Sequence, residues 1–354
     1  MPPRPDAPAA DPHPGLETAL KALDAHKAAW VATPVSARID LLRQVRAAIV
    51  HQAEAWVAAA LRRKALAEDS PLAGEEWSSG PWVVLTTIDL LIENLSHIDD
   101  PGFIAGFPRR TTVSDQLAIE VFPRTLFDRL LMSGVSAEVW MEPGVGSTGL
   151  AQTAGPSRAA KGNDPAGRLA LVLGAGNITS IALLDALHKL FVDDSVVIVK
   201  LNPVLESLAP VLERVLAPLI DAGVLTIVTG GADIGAWLAE HPLVESLHIT
   251  GSGHSHDAIV FGPGAEGARR KAGGSLFNLR PITSELGGVS PTIVLPGRWS
   301  DADLQFQAEH VATQKLHNAG FNCVATQILI LPETWDQADA FEQAVRRAIQ
   351  AAPR

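Results

Sequence analysis

The stretch RLALVLGAGNITSIALLDALHKLFVDDSVVIVKL, residues 168–201, decides the fold. It opens with a short apolar run that stops in glycines. ITSIALLDALHKLF then repeats its apolar residues three and four apart, as one buried face of a helix requires, and VVIVKL is a second short apolar run. Strand, helix and strand follow at the spacing of one βαβ unit. The pattern continues downstream. PVLERVLAPLIDAG (210–223) reads as a helix closed by Gly223, VLTIVTGG (224–231) as a strand, ADIGAWLAEH (232–241) as a helix and ESLHIT (245–250) as a fourth strand. Such alternation predicts an α/β fold with a Rossmann-like, doubly wound parallel sheet.

Three glycine turns fall at predicted strand ends: GAGN (174–177), TGG (229–231) and TGSG (250–253). Ligands of open parallel sheets bind at the carboxyl ends of strands, and backbone N–H groups opening a helix suit phosphates. Taken singly each turn is equally well an ordinary strand-to-helix connection. GAGNIT is not GxGxxG, because Thr179 stands at the third glycine's place.

Upstream, Leu16 to about Ala67 reads as helix, and WVVLTTIDLLIENL (82–95) as a second helical tract. Residues 1–15 are a Pro/Ala-rich leader expected to be disordered. MEPGVGSTGLAQTAGPSRAAKGNDPAG (141–167) reads as loops around one hairpin and marks a boundary. Downstream, SELGGVSPTIVL (284–295) opens a new run, followed by a helix through Leu316, the segment GFNCVATQILIL (320–331) and a last helix WDQADAFEQAVRRAIQ (335–350). The expected division is one domain over 16–288, with N-terminal helices and an excursion near 136–167, and a second over 289–354.

Composition narrows the classes. At 47% hydrophobic residues the chain is globular, and a net charge of −11 disfavours a nucleic-acid partner. Its single cysteine, Cys323, leaves no intrachain disulfide. Its apolar runs are far shorter than the ~20 residues of a membrane span, so a cytoplasmic protein without a membrane partner is expected. GHSHD (253–257), with His248 nearby, lies in what reads as a glycine loop without a second ligand cluster, and no metal site is expected there. The basic run ARRKAGG (268–274) reads as a solvated loop.

In this order the segments resemble the aldehyde dehydrogenase superfamily. GAGN followed by VIVKLNP resembles the motif pair that carries the family's oxyanion-hole asparagine, here Asn177, and cofactor lysine, here Lys200. IVTGGADIGAWLAEHPLVESLHITGS is similar to its strand–helix–strand segment ending in a TGS turn, ELGGVSP (285–291) to its glutamate signature, and GFNCVATQ to its cysteine signature. WVATPVSARIDLLRQV (30–45) is similar to an early helix. The resemblance implies Cys323, Glu285 and Asn177 as catalytic residues. It implies a cofactor site at Lys200, Gly174, Gly176, Gly230, Thr250, Gly251, Ser252, Leu286 and Gly287, taking NAD or NADP, and a small-molecule aldehyde as substrate. For the domains it implies cofactor binding over 16–288 and a partial catalytic domain over 289–354. It also implies a homo-oligomer for full-length relatives.

The chemistry fits those residue types. A thiolate adds readily to an aldehyde. The resulting oxyanion needs preorganised donors such as the Asn177 amide and the Cys323 N–H. Glu285 can then act as general base on the water that hydrolyses the thioester. Each residue also has a plainer reading: Cys323 as core packing, Asn177 as a helix cap, Lys200 as a strand-edge charge, Glu285 as a solvated carboxylate.

The pattern departs from the family in four places. Gly176 and Ile178 flank the asparagine, Pro203 stands where an acid often follows the lysine, the stretch between TGS and ELGG is long, and the chain stops at Arg354, soon after Cys323. The last point leads to the expectation of a truncated relative. Two other functions stay open: an acyl-CoA reductase that passes the thioester to or from coenzyme A, and a non-catalytic nucleotide-binding remnant.

Overall fold

The computed structural model describes residues 15–146, 150 and 166–353. The leader at 1–14, and residues 147–149 and 151–165 of the glycine-rich segment, lie outside the described residues. The chain forms two compact units, Leu90–Pro165 and the remainder, Met1–Asp89 with Ala166–Arg354.

The smaller unit holds strands β1 (Arg109–Thr111), β2 (Leu117–Phe122) and β3 (Ala137–Trp140) in one antiparallel sheet of order β1-β2-β3. Leu117, Ile119 and Leu150 form its buried cluster. A short helix, Leu126–Leu131, starts at a capping box in which Thr125 accepts from the Asp128 N–H and Asp128 from the Thr125 N–H.

The larger unit is built on β4 (Arg168–Leu173), β5 (Ser195–Lys200), β6 (Leu225–Val228), β7 (Ser246–Gly251) and β8 (Ile282–Leu286). They form one sheet of order β6-β5-β4-β7-β8, parallel throughout. The fold is therefore α/β with a Rossmann-like sheet, as the alternation predicts. The chain winds from β4 outward to β6, then returns past β4 to β7. Right-handed crossovers thus put helices Ile181–Phe191 and Ala209–Asp221 on one face and Ala232–Glu240 on the other. The order reverses between β4 and β7, so the loops after Leu173 and Gly251 flank the topological switch point, where ligands bind in such sheets. All six residues of β5 are buried, which accounts for the uninterrupted apolar run VVIV.

Leu16–Ala67 proves to be two helices, Leu16–Ala32 and Val35–Lys64. Pro34 makes the break: its ring fixes an extended turn and biases Thr33 out of the helical region. Gly223, at φ 70°, ends the helix before β6 as predicted. Two local readings need correction. GHSHD opens the helix Gly253–Phe261, capped by Ser252, and is not a loop. ARRKA belongs to the helix Gly264–Ala272, whose last turn carries the basic residues where the helix dipole favours them. The long stretch between TGS and ELGG is thus two helices feeding edge strand β8.

Beyond β8, strands β9 (Ser290–Ile293) and β10 (Thr326–Ile330) pair in parallel. Helices Asp301–Leu316 and Ala338–Ala351 pack with them around Val294, Ala308, Trp335 and Phe341. The larger unit carries both sheets, on either side of the boundary expected at 288/289. Among the described residues no helix is long and apolar enough to cross a membrane.

Candidate active site

β4 delivers Gly174–Asn177 to the switch point. The Gly174 N–H donates to the Lys200 carbonyl at 3.0 Å, which ties the turn to the end of β5. The Asn177 side chain does not cap the following helix. Its Nδ2 donates to the Phe321 carbonyl at 2.9 Å, so it points to the cysteine loop. The residues after it are pinned from elsewhere in the unit. Trp56 Nε1 donates to Thr179 Oγ1 at 2.9 Å, and Ser180 Oγ donates to the Ser79 carbonyl at 2.5 Å.

The cysteine loop enters through three consecutive left-handed residues, Asn318 (φ 53°), Ala319 (φ 52°) and Gly320 (φ 82°). For non-glycine residues this conformation costs of order 1–3 kcal/mol each and persists only where surroundings enforce it. The enforcement is visible at Asn318, which is buried. Its Nδ2 donates to the Asn177 carbonyl at 3.1 Å, its Oδ1 accepts from Lys64 Nζ, and its backbone N–H donates to the Glu75 carboxylate at 3.2 Å. Lys64 in turn pairs with Glu76, which is 2% exposed. Asn322 Oδ1 accepts from the Val324 N–H at 2.8 Å and folds the chain tightly around Cys323.

Cys323 is exposed and not a packing residue. Its nearest polar partner is Asn322 Oδ1, 3.8 Å from Sγ. Ser290 Oγ donates to its carbonyl at 3.4 Å and links the loop to β9. Two donors at this junction have no partner among the described residues: the Cys323 N–H and the second amide proton of Asn177.

Lys200 ends β5 and is buried. β5 is paired on both sides, so an edge-protecting charge is excluded. Burial lowers its pKa below the ordinary lysine value, opposed by the charges of Glu206 and Asp233. Among the described residues its ammonium has no hydrogen-bond or ion-pair partner. The Gly230 N–H, at φ 125° in the turn after β6, donates to Glu206 at 2.8 Å.

At the far side of the switch point Thr250 stands opposite Glu285, and Gly251 opposite Leu286. The Gly287 N–H donates to the Gly251 carbonyl at 3.0 Å. Thr250 Oγ1 donates to Asp185 at 2.8 Å, and Ser252 caps its helix by accepting from the Ser255 N–H at 3.1 Å. Glu285 is exposed, and no hydrogen bond or ion pair joins it to Cys323. The structure thus brings together Asn177 with the cysteine loop, Gly174 with Lys200, and Thr250–Gly251 with Glu285–Gly287. A cavity of about 1480 Å³ is lined by Lys64, Gly176, Asn177, Asn202, Asn318 and Phe321, among others.

The sequence reading missed Asn318 and Lys64. A signal for the first was present: Asn-Ala-Gly just before the cysteine, since Asn and Gly are the residues that visit the left-handed region most readily.

The family model described as Aldehyde dehydrogenase family matches residues 191–353. Over those residues, just under half of the chain, the sequence is similar to that family. The matched stretch holds Lys200, Thr250–Ser252, Glu285 and Cys323, whereas Gly174–Asn177 lie upstream and are joined to it by the hydrogen bonds above. Coniferyl aldehyde dehydrogenase of Pseudomonas sp. strain HR199 is 28% identical over 180 residues, 51% of this chain and 34% of that one. Among solved structures, Staphylococcus aureus AldH in a substrate-bound state aligns at TM-score 0.61 and 16% identity, over 96% of this chain and 60% of that one. A mutant of aldehyde dehydrogenase C from Pseudomonas syringae, in complex with NAD+ and octanal, aligns at TM-score 0.54 and 16% identity, over 95% and 54%. The structural likeness establishes the fold. The match spans about a third of the curated relative's length.

Proposed function

We propose that this chain carries the cysteine-centred site of an NAD(P)-dependent aldehyde dehydrogenase, oxidising a small-molecule aldehyde to a carboxylic acid. The observation that supports this most is the Asn177 amide donating to Phe321, two residues before an exposed, solitary cysteine. The Cys323 thiolate adds to the carbonyl carbon, a C–S bond forms, and the carbonyl electron pair becomes an oxyanion. The second Asn177 amide proton and the Cys323 N–H are the donors for that oxygen; such a pair acts strongly because it is already oriented.

The residues present fit a nicotinamide dinucleotide. Lys200, buried at the carboxyl end of a central strand with its ammonium unpaired, is a donor awaiting an acceptor such as ribose hydroxyls. The turns at Gly174–Gly176, Gly230 and Thr250–Ser252, with Leu286–Gly287 beside them, surround the switch point where such a ligand lies. When bound, the dinucleotide supplies the hydride acceptor. Glu285, whose carboxylate has no hydrogen-bond or ion-pair partner among the described residues, is the base for the water that then cleaves the thioester.

The test is turnover of an aldehyde panel with NAD and with NADP, with and without coenzyme A. Oxidation without coenzyme A that vanishes in Cys323→Ala supports the proposal. Turnover only with coenzyme A would favour an acyl-CoA reductase. Nucleotide binding without any turnover would favour a binding protein.

A further inference from the structure

Lys64 and Glu76 lie on the N-terminal helical layer, far in sequence from the cysteine loop, and no family motif identified in the sequence includes them. Yet Lys64 Nζ donates both to Glu76 and to Asn318 Oδ1, and Glu75 accepts the Asn318 backbone N–H at 3.2 Å. Asn318 Nδ2 then donates to the Asn177 carbonyl at 3.1 Å, while the Asn177 side chain returns to Phe321 at 2.9 Å. The oxyanion asparagine and the cysteine loop are therefore cross-linked twice, and the buried Asn318 at the junction is held by one charge pair. Every polar atom of the Asn318 side chain has a partner, as a buried network that fixes one geometry requires.

We propose that Lys64, anchored by Glu76, is a positioning residue for catalysis: through Asn318 it sets the Asn177 amide and the Cys323 N–H on one oxyanion. The inference rests on the dehydrogenase reading. Lys64 touches neither the nucleophile nor the oxyanion donors, so it acts only through Asn318. A loop that relaxes from its left-handed path loses the alignment, and a displacement of about 1 Å at such a centre costs on the order of 10²-fold in rate.

The experiment compares wild type with Lys64→Met, Lys64→Arg and the charge-free pair Lys64→Met/Glu76→Gln, which leaves no unpaired buried carboxylate if Lys64→Met alone fails to fold. Steady-state turnover and hydrogen–deuterium exchange of the peptide spanning 317–325 are both read. We expect kcat to fall 10- to 100-fold in Lys64→Met and in the pair, with unchanged KM for the nucleotide, faster exchange at 317–325, and recovery in Lys64→Arg. Unchanged exchange and unchanged kcat in the folded pair would overturn the inference. An inactive wild type counts against the dehydrogenase reading alone. The exchange difference then still decides whether Lys64 holds the loop.

Discussion

Gly174 sits where β4 turns into the asparagine loop, and the space beside it is already taken. A Cβ built there lies 2.7 Å from the Ala182 Cβ and 3.7 Å from its Cα. Carbon atoms in contact lie about 3.5–4.0 Å apart, so Gly174→Ala demands a shift of roughly 1 Å. The obstacle is no flexible side-chain tip. Ala182 is fully buried, and its Cβ moves only with the helix Ile181–Phe191. That helix follows directly on Asn177–Ser180, so relief of the clash moves Asn177 with it. Overpacking of this kind costs about 1–3 kcal/mol. The compensating change is Ala182→Gly, which removes the opposing Cβ and alone costs about 1 kcal/mol for glycine inside a helix. The double variant should regain most of the Gly174→Ala loss, a coupling of about 1–3 kcal/mol. Urea unfolding of the four proteins in the cycle measures it, and turnover should follow the same rescue. Costs that add within about 0.5 kcal/mol would show that the two backbones are not in contact, and the packing argument would be wrong.

Three further outcomes follow from the site. Asn177→Ala should lower kcat by about 10²- to 10³-fold through loss of one oxyanion donor, with nucleotide affinity retained in a binding titration. Glu285→Gln should leave acylation intact and slow hydrolysis, so stopped-flow traces show one turnover of reduced nucleotide and then a slow phase. In the proposed site Lys200 binds the nucleotide through its protonated form, and burial lowers its pKa below 10.5. Nucleotide affinity should therefore be level at low pH and fall as pH rises through that lowered value, before an ordinary lysine deprotonates. Lys200→Met should flatten the profile and weaken binding throughout.

What the sequence reveals follows the range of the forces involved. Strand and helix alternation from Arg168 to Gly251 was legible because burial imposes a period on every residue there. The strand-end glycines were legible because turns demand them. Cys323 and Asn177 were readable as a pair only through resemblance, and the hydrogen bond from Asn177 to Phe321 joins residues with no local pattern between them. Lys64 left no trace in the sequence: in LRRKAL it reads as one more charge at a helix end, and its partner Asn318 comes from the other end of the chain. GHSHD (253–257) and ARRKAGG (268–274) read as loops because glycines and Pro263 punctuate the stretch. In the structure Gly262, Pro263 and Gly264 form the junction between two short helices.

The most direct test is the intact mass of the chain after mixing with an aldehyde, with and without NAD or NADP, in the Glu285→Gln background that holds back hydrolysis. With one cysteine in the sequence, the adduct's site is settled by comparison with Cys323→Ala. The account predicts an added mass equal to the aldehyde less two hydrogens, present only with the nucleotide and absent from Cys323→Ala. No adduct under any condition, or an adduct that survives the loss of Cys323, would contradict it.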